Sequence, residues 1–186
     1  YQAEFLEATG LCIKRDSGEL IDRFWGRAMF PIHSLSGRVV GFGGRVLRSD
    51  AKTAKYLNSP ESDIYHKSQV LYGLFQAKQA ISRSNKVYLV EGYTDVISMH
   101  QAGVHNVVSS SGTALTLEQI RLVKRLTEHV TLLYDGDKAG IRASFRGIDL
   151  LLEEGLYVRA VPLPAGEDPD SLARSMDAES LNAFLT

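Results

Sequence analysis

The sequence has 186 residues, 44% of them hydrophobic, and a formal net charge of -1, enough for one ordinary domain or two small ones around a sizeable core. No apolar run approaches the ~20 residues of a membrane span, and the opening YQAEFLEATG lacks the basic and apolar regions of a signal peptide, so a soluble cytoplasmic protein is expected. The one cysteine, Cys12, excludes an internal disulfide framework and a cysteine-based zinc cage.

In chain order, AEFLEATG reads as the end of a helix stopped by Gly10. AMFPIHS and RVVGFGGRVL, joined at Ser36-Gly37, predict a β-hairpin. Gly41, Gly43 and Gly44 mark a bulge or a backbone approached closely by another group, and the GFGG spacing matches neither nucleotide-binding fingerprint. Phe24 and Trp25 read as a core anchor of this half in preference to a base-stacking platform. Residues 49–68 are polar and contain Asn58-Ser59-Pro60, so they read as a loop with at most one short strand. Lys52, Lys55, Asn58 and Lys67 there are suited to phosphates, with Tyr56 and Tyr65 available for stacking; an ordinary solvated loop is the competing reading. A helix is expected over 74–84, with Leu74, Ala77 and Ile81 on one face.

From Lys86 the rhythm is regular. KVYLV is a strand, 95–101 a short helix closed by Gly103, and HNVVSS a second strand. Thr116 and Gln119 form a capping box before LEQIRLVKRL, whose Ile120, Val123 and Leu126 make one apolar stripe. HVTLLYD is the third strand, and a helix over 138–154 follows, with Ile141, Phe145, Ile148 and Leu152 spaced for core contact and Gly155 as its stop. YVRAVPL is the fourth strand, and EDPDSLARSM with DAESLNAFL gives one or two closing helices. Strands alternating with helices imply an α/β fold, a parallel sheet flanked by helices, preceded by a smaller mixed α+β subdomain with a hairpin. The expected division is 1–85 and 86–186. The first part carries 12 Lys and Arg against 8 acids and the second 9 against 14, compatible with a polyanion on one and metal ions on the other, or with two solvated surfaces.

Ligands of parallel sheets bind beyond the C-terminal strand ends. The first strand ends at Glu91, the third at Asp135-Gly136-Asp137, and the fourth leads into Glu167-Asp168-Pro169-Asp170. A single acid at such a place is an ordinary helix cap, which would account for Asp95 or Asp137. Glu91, Asp135, Asp137, Asp168 and Asp170 together would repel one another unless a cation sat among them. Pro169 holds Asp168 extended, so Asp168 and Asp170 can point to the same side. Hard oxygen ligands favour Mg2+, with Mn2+ as substitute, over zinc, and a two-ion arrangement serves phosphoryl transfer.

VEGYTD at 90–95, YDGDKAG at 134–140 and EDPD at 167–170 resemble the three acidic motifs of the Toprim domain, shared by primases, topoisomerases and some nucleases. GRVVGFGGRVL, KYLNSPES, YHKS and LYGL extend the likeness over nearly the whole chain and resemble the RNA polymerase domain of the bacterial replicative DNA primases. The resemblance implies metal binding by Glu91, Asp135 and Asp137, with Asp95, Asp168 and Asp170 as further ligands or supports. It implies that Arg45, Lys55, Asn58 and Lys67 face the cleft and hold template or nucleotide phosphates. The implied activity is metal-dependent synthesis of short RNA primers from NTPs on a single-stranded DNA template, with a replicative helicase as partner through a domain outside this sequence and no membrane association. The absence of an initiating Met and the ending LNAFLT also read as part of a longer chain.

Other readings of the residues are a haloacid-dehalogenase-type phosphatase, with Asp135 as nucleophile and Asp137 as acid, another Toprim enzyme that cleaves DNA, and a nucleic-acid-binding module with structural acids. Lys138-Ala139 after the second Asp argues against the phosphatase. His33, His66 and His129 are required by none of them.

Overall fold

The computed structural model describes residues 2–48, 53–134 and 138–186, the side chains of 138–145 excepted. The chain forms two compact units, Tyr1–Lys67 and Ser68–Thr186.

In the first unit, helix α1 (Ala3–Ala8) ends before Gly10, which sits at φ +67°; a Cβ there would lie 2.2 Å from Pro60 Cδ, so conformation and space both demand glycine. An antiparallel pair follows, β1 (Cys12–Lys14) and β2 (Leu20–Asp22). The sequence reading missed it, although Arg15-Asp16-Ser17-Gly18 is a usable turn signal: the Gly18 N–H donates to the Arg15 carbonyl at 2.8 Å. Strands β3 (Arg27–His33), β4 (Val39–Val46) and β5 (Tyr56–Asn58) form an antiparallel sheet in that order, and β3–β4 is the expected hairpin. Its register shifts where Ile32 faces Gly41 but His33 faces Val39, which leaves the extra residue at Val40 and not at a glycine. Gly41 and Gly44 instead admit aromatic rings: a Cβ on Gly41 would meet the Tyr65 ring at 2.9 Å, and one on Gly44 would meet Phe24 at 2.7 Å.

Two expectations are corrected here. Tyr65 is 2% exposed, its ring packed over Gly41, so it is not available for stacking. Phe24 anchors the core, with Phe42 edge-on at 6.4 Å between ring centroids, but Trp25 is 85% exposed. The two aromatics lie on a tight turn between β2 and β3, and the space over Gly44 takes only the first.

Burial, followed by the Glu61 charge, pushes the Tyr65 phenol up to about 12. A folded-state value above the unfolded value of 10 means that the unfolded chain releases its proton first. The stability Tyr65 contributes is therefore complete below pH 10 and lost between pH 10 and 12. Tyr65→Phe is expected to flatten the alkaline fall of the urea midpoint across that window.

The second unit opens with α2 (Leu74–Ser84) and continues β6 (Val87–Val90), α3 (Tyr93–Gln101), β7 (Val107–Ser109), α4 (Leu117–Lys124), β8 (His129–Leu132), α5 (Lys138–Glu153), β9 (Tyr157–Ala160), α6 (Pro169–Ser175) and α7 (Ala178–Leu185). The sheet order is β7-β6-β8-β9, parallel throughout. One face is covered by Leu74, Ala77 and Ile81 of α2, Ile120 and Val123 of α4, and Leu151 of α5. The other is covered by Val96 and Met99 of α3, Leu172 of α6, and Leu181 and Leu185 of α7. This is the expected α/β class, and the expected buried face of 74–84 is the one observed. The Thr116–Gln119 capping box is also present: the Gln119 N–H donates to Thr116 Oγ1 at 3.2 Å and the Thr116 N–H to Gln119 Oε1 at 3.1 Å.

Helix α3 starts at Tyr93 rather than Asp95, because Gly92 is its N-cap and Asp95 lies within the first turn. Of the expected α5 stripe, Ile148 packs against the core, the side chains of Ile141 and Phe145 lie outside the described residues, and Leu152 is corrected. Leu152 is 55% exposed and Leu151 is 1% exposed. Gly147, over the Tyr134 hydroxyl, sets the inward side of the helix, and Leu151, one turn on, shares it. Among the described residues no helix is long and apolar enough to cross a membrane.

Candidate functional site

The reversal of strand order around β6 creates the crevice where parallel sheets take ligands. From β6 the chain moves to β7 on one side, then returns across to β8 on the other. Leu89 pairs with Leu132, and the Leu133 N–H donates to the Leu89 carbonyl at 3.0 Å. Two residues beyond that pair, Glu91 stands alongside Tyr134, the last described residue before Asp135. Asp135 and Asp137 themselves lie outside the described residues.

Glu91 Oε1 is sealed from solvent, and Glu91 immediately precedes the N-cap of α3, where a carboxylate is favoured. Glu91, Thr113, Tyr134 and Arg146 line one cavity of about 460 Å³ between residues 110–115 and α5. Burial and the Glu91 charge raise the Tyr134 phenol above its ordinary value. Thr113, Tyr134 and Arg146 were not singled out from sequence. None carries a spacing signal, and only the fold brings them to Glu91.

The remaining acids of this edge are engaged in holding the helices. Asp95, 6% exposed, accepts the Gly92 N–H at 2.7 Å and so fixes the chain immediately after Glu91. Asp95→Ala is expected to cost about 1 kcal/mol, as loss of a helix cap does, read as a lower urea midpoint. Asp168 has φ -123° and ψ 168°, extended as Pro169 requires, but the helix begins at Pro169 and the alternation stops there. Its side chain accepts the Ser171 N–H at 2.7 Å as the N-cap of α6. Asp170 accepts the Ser98 hydroxyl of α3 and pairs with Arg174 at 3.2 Å, tying α6 to α3. Among the described residues no three His, Cys, Asp or Glu side chains are grouped to hold a metal ion.

In the first unit, Arg45 on β4 is registered opposite Tyr56 on β5, and Asn58 opposite Gly43. The Arg45 guanidinium lies 5.7 Å and Lys55 Nζ 5.9 Å from the Tyr56 ring centroid, placing two cations about one aromatic ring. Ser59 is buried; its N–H donates to the Phe42 carbonyl at 2.8 Å and its Oγ accepts the Phe42 N–H at 3.0 Å, which pins the chain after Asn58. Lys67 opens a 3-10 turn, and its N–H donates to Glu61 Oε1 at 2.9 Å, a bond that holds the Glu61 carboxyl below its usual range. His66 Nδ1 meets the other oxygen of Glu61 at 3.1 Å. Lys52 lies outside the described residues.

Comparison with known proteins gives two matches, the first running past the unit boundary into α2. Residues 1–78 match the family described as DNA primase catalytic core, N-terminal domain, and residues 88–173 match the Toprim-like family. The DNA primase of Escherichia coli (strain K12) is 46% identical over 179 residues, covering 95% of this chain and 30% of that protein. The chain belongs to the bacterial DNA primase family. A DNA primase domain crystal structure from Pseudomonas aeruginosa matches with a TM-score of 0.90 at 41% identity, covering 98% of this chain and 57% of that one. A primase catalytic domain bound to single-stranded DNA matches with a TM-score of 0.89 at 43% identity, covering 98% and 59%. The chain thus corresponds to part of the primase catalytic core and spans about a third of the curated relatives' length. Within the Toprim superfamily, the match of the first unit to the primase N-terminal domain selects the primase branch.

Proposed function

We propose that this chain carries the nucleotidyl-transfer centre of a DNA primase, which makes short RNA primers from NTPs on single-stranded DNA. The observation that supports this most directly is the placement of Glu91 beside the end of β8, at the threshold of Asp135, in a chain of the primase family. The donors are all carboxylates, a hard set that fits Mg2+ or Mn2+ and not zinc. Glu91, Asp135 and Asp137 would hold the ion, with Asp95, Asp168 and Asp170 supporting the same edge through α3 and α6. When bound, a divalent cation supplies charge neutralisation at the reacting phosphate and lowers the pKa of an attacking hydroxyl.

In the transfer, the 3'-hydroxyl of the growing primer attacks the α-phosphate of the incoming NTP. The bond from that phosphorus to the β-phosphate bridging oxygen breaks, the hydroxyl proton leaves, and pyrophosphate departs. Arg45, Lys55, Asn58 and Lys67 bind and orient phosphates of template or nucleotide, the first two with charge held about the Tyr56 ring. The single-stranded DNA bound to a related catalytic domain supports a template of that kind. A replicative helicase would be engaged through a part of the parent protein outside this sequence, and Mn2+ should substitute for Mg2+.

The test is template-dependent NTP incorporation by the intact parent protein carrying Asp135→Ala. A loss of incorporation with the fold retained supports the assignment, and an unchanged rate would sink it. DNA cleavage without incorporation would move the chain to another Toprim reaction.

A further inference from the structure

Trp25 is the one tryptophan of the chain and, at 85% exposed, the most exposed of its large apolar side chains among the described residues. A large aromatic is ordinarily well buried, so an indole left in water calls for a reason. It is also rigidly presented. Phe24 beneath it is buried, and the Phe24 N–H donates to Asp22 Oδ1 at 2.8 Å. The Arg27 N–H donates to the Phe24 carbonyl at 3.1 Å, and Gly26, at φ +70°, accepts the Leu47 N–H at 3.1 Å. The turn bearing the indole is thus fastened at both ends to β2, β3 and the end of β4.

The chain about it is mainly basic, with Asp22 engaged by the Phe24 N–H. Between Asp22 and Asp50 it carries Arg23, Arg27, Arg38, Arg45 and Arg48 and no acid. Arg23 and Arg27 flank the turn in sequence, and Arg48 follows Leu47, which is 71% exposed. Arg27 is braced along the sheet by donation to the Gly44 carbonyl at 3.1 Å. An exposed aromatic face with Arg23 and Arg27 on either side of it in the chain matches a polyanion whose bases are open to stacking. An apolar protein partner would want a broader greasy patch and would have to desolvate those arginines. In a duplex the base faces are covered by their neighbours, which restricts the match to single strands.

We propose that Trp25 stacks on a base of single-stranded nucleic acid whose phosphates are held by the neighbouring Arg23, Arg27 and Arg48. The proposal rests on the reading of the chain as a primase core for the class of its ligand, and adds a contact outside the acidic edge and the set Arg45, Lys55, Asn58 and Lys67. Because the indole is unique, its emission reports this contact alone. The 186-residue chain is titrated with labelled oligo(dT), with oligo(rU) and with a blunt duplex, following label anisotropy and tryptophan emission together. Emission should be quenched along the same curve as the anisotropy rise for single strands and not for the duplex. The stronger of the dT and rU arms tells template from transcript. Trp25→Ala should weaken single-strand binding about tenfold, whereas Trp25→Phe should stay within about threefold. Circular dichroism of both variants should be unchanged, as expected for an exposed site. Binding seen by anisotropy with unmoved emission and an unaffected Trp25→Ala would overturn the stacking while leaving the primase reading standing. No binding by any probe would also overturn the stacking, and the primase reading is tested separately by incorporation in the intact parent protein. A concentration-dependent emission shift without oligonucleotide would assign the indole to self-association instead.

Discussion

Glu91→Gln in the intact parent primase is expected to lower template-directed incorporation at least about 100-fold and to leave the unfolding midpoint of the chain within about 0.5 kcal/mol of its original value. Glutamine keeps the shape of the side chain and removes its charge, so the variant isolates the carboxylate from the packing around it. Glu91 is the first residue beyond β6 at the reversal of strand order, and the register Leu89 to Leu132 brings it alongside Tyr134. Its Oε1 is shielded from water, where a charge interacts more strongly with a bound cation than it would at the surface. Calorimetric Mn2+ titration supplies the second readout: Glu91→Gln should weaken the ion, and Asp95→Asn should do so less. An unchanged rate together with unchanged Mn2+ affinity would remove Glu91 from the centre.

Much of this placement was legible in the sequence because it depends on periodicity and punctuation. Helix 74–84 has its buried residues at the spacing of one helical face, and Thr116 with Gln119 marks the start of α4 three residues apart. The parallel alternation after Lys86 was sufficient to bring the ends of β6 and β8 to one edge. What escaped depends on tertiary phase. CIK and LID are strands of three residues, too short to show an alternation, and only the Gly18 turn betrays them. Nothing in Phe24-Trp25 says which ring turns inward; the vacancy over Gly44 decides it, and that vacancy exists only once β3 and β4 are in register. The Ser98–Asp170 bond joins residues far apart in sequence, and the cavity holding Glu91 and Arg146 draws on four separate segments. The DGD motif at 135–137 lies outside the described residues.

Leu151→Ala and Leu152→Ala should separate sharply, although the two residues are identical and adjacent. Leu151 is 1% exposed within a core that includes Ile120, Val123, Val130 and Leu132; its truncation should cost about 2–5 kcal/mol, the range for deleting a buried leucine side chain. Leu152 is 55% exposed, and its truncation should stay within about 0.5 kcal/mol. Helix propensity changes equally in both, since each replaces leucine by alanine inside α5, so the difference reports burial alone. Urea midpoints at constant slope measure it, and equal midpoints would return Leu152 to the core stripe beside Ile148. The C-terminal end of α5 is independently held, with Glu154 paired to Arg121 at 3.0 Å and its carbonyl bonded by Lys124, so neither substitution should unravel the helix end. Because α5 follows directly on residues 135–137, Leu151→Ala also provides a stability control for the acidic centre. Well below its own midpoint it should retain incorporation, whereas Glu91→Gln loses incorporation with its midpoint in place. That crossed pattern distinguishes loss of a metal-holding carboxylate from loss of the scaffold that presents it.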